Sequence, residues 1–180
     1  MPLRDGSDLC LQCGLCCNGT LFETISILPD ERTPVEVLGT PVDITAIGSI
    51  REMPLPCAAL DGAKCSIYGS RPSTCGRYKC RLLHEYEAGA DIDDCLSVID
   101  RVRFYARALE TEIGIPVGTY SRQAGHDYIS AHDPAQHPTE HPGFLAAFHG
   151  IDALSLEHFQ YNPYPMETEA AAAGATPVEL

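Results

Sequence analysis

Nine cysteines in a chain of 180 residues are the feature that most constrains how this sequence folds. Eight of them fall between Cys10 and Cys80, and Cys95 is the ninth. Cysteine at this density indicates disulfide bonds, metal binding or redox chemistry. The cysteine-rich segment is therefore expected to fold around whatever its thiols bind or form.

Several features favour metal over disulfide bonds. The first nine residues contain no apolar signal region, and no run approaches the ~18 apolar residues of a membrane span. We therefore expect a soluble, cytoplasmic chain whose thiols stay reduced. An odd number of cysteines would leave one thiol over, and adjacent Cys16 and Cys17 are awkward partners for two separate bridges. Metal binding is the favoured interpretation, and a disulfide framework is the lesser alternative.

Composition excludes some partners. Apolar residues make up 44% of the chain, which is enough for one domain with a real core, or one domain plus an appendage. The chain has 12 basic and 25 acidic side chains, with a formal net charge of −13. Such a charge repels phosphate backbones and anionic lipid. We therefore expect no nucleic-acid partner and no membrane partner.

The first four cysteines form the run Cys10-x2-Cys13-Gly14-x-Cys16-Cys17. A CxxC turn directs two thiolates toward one point, and the glycine that follows suits a backbone with positive φ. Such turns hold zinc and iron alike, and the CxxCxxC spacing is common in iron–sulfur sites. Because Cys17 cannot easily point where Cys16 points, either a second site lies beside the first or one of the pair is a spectator.

The next four cysteines are Cys57, Cys65, Cys75 and Cys80. Together with the first four they suffice for two four-cysteine sites or for one larger cluster, and the spacing leaves the partition open. Cys75 and Cys80 are separated by about 500° of rotation on a regular helix, so the chain must be irregular between them if both bind one ion. Cys95 lies on the apolar face of a predicted helix, where we expect core packing.

Periodicity and turn residues predict short strands followed by helices. Residues 1–20 are expected to form a cysteine-rich loop, 21–28 a strand, and 30–54 a loop with one short helical piece. Residues 57–68 are predicted to form a hairpin with its turn at Asp61-Gly62. Four helices are predicted. The first begins near Pro72 and continues through Cys80 to about residue 88. The second covers residue 91 or 92 to Ile113, and the last two cover 142–149 and 155–160.

These elements predict an α+β fold with a small, irregular, metal-pinned cysteine domain that contains a β-hairpin and is followed by helices. We expect the cysteine domain to cover residues 1–90. A helical C-terminal extension over 91–165 is expected to pack on it. Residues 166–180 are expected to form a disordered tail.

The cysteine pattern resembles that of the YkgJ-type CxxCxxCC cysteine-cluster family, whose domain is described as zinc- or iron-chelating. The resemblance covers about residues 8–85 and includes the segment Cys65-Ser-Ile-Tyr-Gly-Ser-Arg-Pro-Ser-Thr-Cys75. It implies that zinc, iron or an iron–sulfur cluster is held by the eight cysteines between residues 10 and 80. Members often have arginine directly after the RPxxC cysteine, where this chain has Gly76 followed by Arg77.

Three functions remain open. The first is a metal-binding module that holds metal or assists a protein partner. The second is an iron–sulfur oxidoreductase, as some members of the resembled family are labelled. The third is an accessory domain of a protein-modifying enzyme, since related domains occur in flagellin lysine methylases. It is the weakest because the sequence has no nucleotide-binding or methyl-donor loop. Whether the protein is an enzyme stays undecided.

Four basic residues, one tyrosine and a group of histidines each have two possible interpretations. Arg71, Arg77, Lys79 and Arg81 either lower the pKa of nearby thiols or form a solvated helix face. The Tyr68 hydroxyl either donates to a sulfur or lies in plain packing, which we favour. The remaining group is expected to be surface loop histidines rather than a metal site: His126, His132, His137 and His141.

Overall fold

The computed structural model describes residues 5–28, 31, 39, 51–132 and 142–160. Within these residues, six α-helices run in chain order: α1 Ser7–Cys13, α2 Ser73–Arg77, α3 Arg81–Glu87, α4 Ile92–Ile113, α5 Arg122–Ala131 and α6 Pro142–Leu154. The same residues contain four strands in two antiparallel pairs: β1 Thr24–Ile27, β2 Arg51–Pro54, β3 Leu60–Asp61 and β4 Lys64–Cys65. They also include a 3-10 turn at Tyr68–Ser70 and a π-helix at Ser155–Phe159. The α+β prediction is confirmed.

The N-terminal segment was expected to be a loop and instead begins with α1. The helix ends at Gly14, whose φ of 65° is the left-handed conformation that the CxxCG motif predicted. A side chain at Gly14 would approach the backbone of Ala63 to 3.0 Å. Glycine therefore allows the end of α1 to pack closely against the β3–β4 turn.

The first strand pair corrects the prediction for residues 30–54. Strand β1 lies within the predicted strand 21–28, and it pairs with β2 in the register Thr24 to Pro54. The β2 residues were expected to be loop because of the prolines and glycines around them. Ile27 and Met53 point to the same buried cluster, which is what makes this short pair stable. The predicted helical piece between the two strands lies outside the described residues, as does the predicted tail.

The predicted hairpin is present, and its turn is shifted by one residue. Asp61 pairs with Lys64, so Gly62 and Ala63 are the two turn residues. Gly62 has a φ of 60°, and among the described residues no residue other than glycine has positive φ. This fits a type II′ turn, which needs glycine at its first central position, better than the expected type I′ turn.

The predicted helix from Pro72 to residue 88 is broken into α2 and α3. Helix α2 begins directly after Pro72, where the Ser73 amide donates to the Glu31 carboxylate at 2.7 Å. Three residues, 78–80, separate the end of α2 from α3, and the last of them, Cys80, is the N-terminal cap of α3. The chain between Cys75 and Cys80 is thus irregular, which places the two thiols independently of helical geometry.

The long helix α4 has the predicted bounds and the predicted buried face. Cys95, Ile99 and Val102 are buried on it, and Gly114, with a φ of 73°, ends it. One hydrophobic cluster joins α4 to Leu9 of α1 and Phe144 of α6. These helices therefore share one core, and the division into a cysteine domain and a helical extension near residue 90 stays a prediction.

The C-terminal prediction of two short helices is confirmed by α6 and the π-helix that continues it. Helix α5 was missed because its inward face is short and carries few apolar residues: Gly125 is buried, and Tyr128 and Ile129 pack against the main hydrophobic cluster. In the described part of the chain, no helix combines the length and apolar character that crossing a membrane requires.

Candidate metal centre

The eight cysteines between residues 10 and 80 all line one cavity of about 250 Å³. They come from α1, the loop after it, the hairpin region, α2 and the start of α3. All nine cysteines lie within the described residues, and each is a free thiol. Cys95 is not on the cavity wall and is only 2% exposed, as its predicted core position requires.

Four of these cysteines form what we call the first cysteine set: Cys10, Cys13, Cys16 and Cys80. Cys10 and Cys13 are three residues apart on α1 and so share one helix face. Cys16 follows the turn at Gly14, and Cys80 begins α3, which contacts α1. The Cys80 sulfur accepts a hydrogen bond from the Leu83 amide at 3.4 Å, which caps α3.

Burial dominates the acidity of the first set. It raises the pKa of Cys13 to about 12, although a hydrogen bond from the Leu15 backbone amide opposes the shift, and the Cys80 and Cys10 thiols add to it. The pKa of Cys16 is raised well above its usual value by burial and then by the Cys13 and Cys80 thiols. Burial also raises the pKa of Cys80 to about 11. Ionised thiols at these positions therefore need a nearby positive charge.

The other four form the second cysteine set: Cys17, Cys57, Cys65 and Cys75. The Cys57 amide donates to the Cys17 carbonyl at 2.8 Å, which holds the N-terminal loop against the hairpin region. The Cys57 carbonyl accepts from the Leu60 amide at 3.0 Å, and Leu60 pairs with Cys65 on β4. Cys57 was expected to lie on the first arm of the hairpin. In the structure it precedes that arm, which begins at Leu60.

The second set has its own internal interactions. Burial raises the pKa of Cys17 to about 12, and the thiols of Cys57 and Cys65 are the next largest causes, followed by Cys75. For Cys75, burial and then Cys57 and Cys65 raise the pKa to about 11. The members of this set are thus electrostatic neighbours of one another.

Arg71 is the basic residue of its group that reaches the cavity. Its guanidinium lies 3.8 Å from the centre of the Tyr68 ring and lines the cavity with it. It opposes the burial that raises the pKa of Cys10, and Tyr68 also lowers that pKa by a hydrogen bond to the thiol. The Tyr68 ring thus packs against Arg71, as the favoured interpretation expected, and its hydroxyl lies on the side of the Cys10 thiol.

The other three basic residues have partners away from the thiols. Arg77 donates to the Ser73 hydroxyl at 3.1 Å, and Lys79 pairs with Glu87 at 2.8 Å. Arg81 donates to the Glu157 carbonyl at 2.9 Å. The interpretation of these three residues as part of a solvated helix face therefore fits the structure better than a role in lowering the pKa of thiols.

Sequence reasoning missed two residues that support the site from outside the motif. Tyr78 lies close to the thiols of Cys16 and Cys80, and its hydroxyl donates to the Phe159 carbonyl in the π-helix. Arg103 of α4 donates to the Cys13 carbonyl at 3.2 Å and so anchors the end of α1. No local signal identifies either residue, because each acts across a large sequence separation.

The histidines do not join the cysteines. Of those in the described residues, none lines the cavity. His126 is on α5 rather than in the expected loop, 3.7 Å from the Glu23 carboxylate. The His132 ring nitrogen is 2.8 Å from the Tyr128 carbonyl and the ring stacks on Tyr128. His137 and His141 lie outside the described residues.

The eight thiols suit a metal that prefers sulfur ligands, both by their chemistry and by their shared position on the cavity wall. Eight thiols on one cavity wall fit the ligand chemistry of zinc and of iron–sulfur centres. Within the described ranges, however, no three or more His, Cys, Asp or Glu side chains already converge closely enough to hold an ion. The structure thus shows thiols gathered around a shared cavity, not a finished coordination shell.

Comparison with known proteins identifies the same segment. The CxxCxxCC family model, described as "Putative zinc- or iron-chelating domain", matches residues 9–95. The match includes every cysteine on the cavity wall. No curated protein matches the chain, and no solved structure matches it.

Proposed function

We propose that this protein binds zinc or iron through the eight cysteines of its cavity, because residues 9–95 match the model of the CxxCxxCC domain, which is described as zinc- or iron-chelating. The proposed ligands are Cys10, Cys13, Cys16, Cys17, Cys57, Cys65, Cys75 and Cys80. When bound, zinc supplies redox-silent cross-links between chain segments, whereas an iron–sulfur centre supplies one-electron chemistry.

The observation that carries the proposal is the meeting of eight thiols from five chain segments on one cavity wall. Ionised thiols in such a place repel one another, and a bound cation removes that repulsion. Core packing alone does not explain the arrangement. The core cysteine Cys95 is 2% exposed and lies away from the cavity, whereas the other eight are only partly buried and line it.

The proposed role of the metal is to hold the fold together. Helices α1, α4 and α6 share one hydrophobic cluster, and β1 and β2 contribute to a second, small one. The cysteine cavity is lined by Ile99 of the first cluster and Met53 of the second. Metal–thiolate bonds across the cavity would join the two clusters, which both contact the partly buried Phe22.

An oxidoreductase with an iron–sulfur centre is the second candidate. The cavity wall between the thiols is apolar, with Phe22, Ile67 and Phe159 among its residues. Such a wall limits water access, which influences the reduction potential and stability of a cluster. For either candidate we propose a reducing, cytoplasmic setting, and a protein partner remains an open part of the proposal.

Metal analysis of the full chain tests the proposal. The protein is purified without oxygen, and zinc, iron, acid-labile sulfide and the visible spectrum are measured. Colourless protein with roughly two zinc ions per chain, as two four-cysteine sites require, supports the structural role. Coloured protein with iron and sulfide supports the redox role. Folded protein that contains and takes up neither metal overturns both.

A further inference from the structure

We infer that the cavity holds two separate metal centres, one bound by Cys10, Cys13, Cys16 and Cys80 and the other by Cys17, Cys57, Cys65 and Cys75. This assignment rests on the proposed function and adds to it the division of ligands. The alternative is one polynuclear cluster whose thiolates bridge both sets.

Backbone contacts are the first support. Cys57 is hydrogen-bonded to Cys17 and to Leu60, and Leu60 pairs with Cys65, so three members of the second set belong to one hydrogen-bonded group. In the first set, Cys80 begins α3, which contacts the helix α1 that carries two of its members. The electrostatic neighbours of Cys17 follow the same division, since the thiols of its own set come before that of Cys10.

The backbone explains how adjacent residues serve different sets. Cys16 follows the end of α1, close to the helix that carries Cys10 and Cys13. The Cys17 carbonyl is held by the Cys57 amide at 2.8 Å, which fixes this residue against the hairpin region. The question raised by the CC pair is answered by two sites side by side, with no spectator.

Packing provides an independent division along the same line. All four cysteines of the first set pack against the hydrophobic cluster formed by the helices. Cys57 of the second set packs against the other cluster, with Ile27 and Met53. The first set and Cys57 of the second set therefore pack against different clusters.

The break between α2 and α3 has a role in this arrangement. Cys75 belongs to α2 and is a neighbour of Cys57 and Cys65, whereas Cys80 caps α3 and is a neighbour of Cys10. The irregular chain between them directs the two thiols to different sets. Arg71 interacts with Cys10 of one set and Cys75 of the other, which places one cation between two negatively charged centres.

Cadmium-113 NMR of the full chain tests the division. The metal-free protein is titrated anaerobically with ¹¹³Cd²⁺, and ¹¹³Cd–¹H correlations identify which cysteine β-protons couple to each ion. We expect two cadmium resonances, each correlated with the four cysteines of one set. A cadmium ion correlated with members of both sets, or cadmium ions coupled through shared sulfurs, would overturn the division and leave metal binding intact.

Variants give a second, independent readout. Cys65→Ser and Cys57→Ser are both expected to remove the same resonance and to keep the other, and Cys13→Ser is expected to do the reverse. Cys95→Ala is the matched control and retains both resonances. Loss of both resonances in a variant whose circular dichroism is unchanged counts against separate centres. Wild-type protein that binds no cadmium contradicts the proposed function itself.

Discussion

At the scale of single residues, Arg71 is the side chain whose position has the clearest consequence. Its guanidinium is held over the Tyr68 ring and is close to Gly76, where a β-carbon would lie 3.6 Å from the Arg71 Nε. It is thereby directed toward the thiols of both sets. A fixed cation beside thiolates favours their ionised, metal-binding form.

Replacing this charge tests its role. Arg71→Gln is expected to weaken metal affinity by about tenfold, a typical loss for a residue that supports the ligands without binding the metal. Competition with a chromophoric chelator measures the affinity. Arg77→Gln is the control, because Arg77 is exposed and bonded to Ser73. Equal affinities for the two variants would show that Arg71 does not compensate thiolate charge.

The set of cysteines that line the cavity was easier to predict from the sequence than the contacts of the residues around them. The motif spacing selected the eight cavity cysteines and separated Cys95 from them, because ligand spacing and helical periodicity are both local patterns. The partners of Arg71 were not predictable, since four basic residues within 11 positions look alike in sequence. Tyr78 and Arg103 were missed because their contacts join segments far apart in the chain.

At the scale of elements, the end of α1 fixes the first cysteine set. Gly14→Ala forces a β-carbon into the left-handed conformation, which costs about 1–2 kcal/mol, and brings it to 3.0 Å from the Ala63 backbone. Gly114→Ala is a matched control, with a φ of 73° and nothing within 4 Å of the added carbon. We expect both to lower stability in urea, and Gly14→Ala alone to lower metal content. Equal effects would exclude a special role for the α1–hairpin contact.

The π-helix closes the cavity from the C-terminal side. Phe159 lines the cavity and is 1% exposed, and its carbonyl accepts the Tyr78 hydroxyl. Tyr78→Phe removes this bond, which is worth about 1 kcal/mol, and is expected to speed metal transfer to a chelator a few-fold. Stopped-flow transfer kinetics measure it. An unchanged rate would mean that the π-helix does not limit access.

Elements were predictable where one periodic pattern extended far enough. Helix α4 has 22 residues and a continuous apolar face, so its bounds followed directly from the sequence. Helix α1 has 7 residues and β2 has 4, and tertiary contacts rather than local propensity select them. The helix break before Cys80 follows the same rule, since the capping sulfur and the cavity favour two short helices over one long one.

At the scale of the whole molecule, the cysteine-rich half has one small apolar cluster of its own, and its other buried residues, Leu9 and Leu82 among them, belong to the cluster that it shares with α4 and α6. The cluster under β1 and β2 contains three buried residues, Ile27, Met53 and Leu55. Metal–thiolate bonds supply what such a half lacks, and structural zinc sites contribute on the order of 10 kcal/mol to folding. The helical half, with the larger cluster around α4 and α6, is expected to depend less on metal.

Chelation followed in parallel by metal release and by folding tests this central claim most directly. The full chain is titrated anaerobically with a strong chelator while bound metal and amide hydrogen exchange are recorded. We expect metal loss and loss of exchange protection in residues 51–65 to occur together, with protection in α4 lost later. Metal-free protein that keeps native protection throughout residues 9–95 would contradict the account.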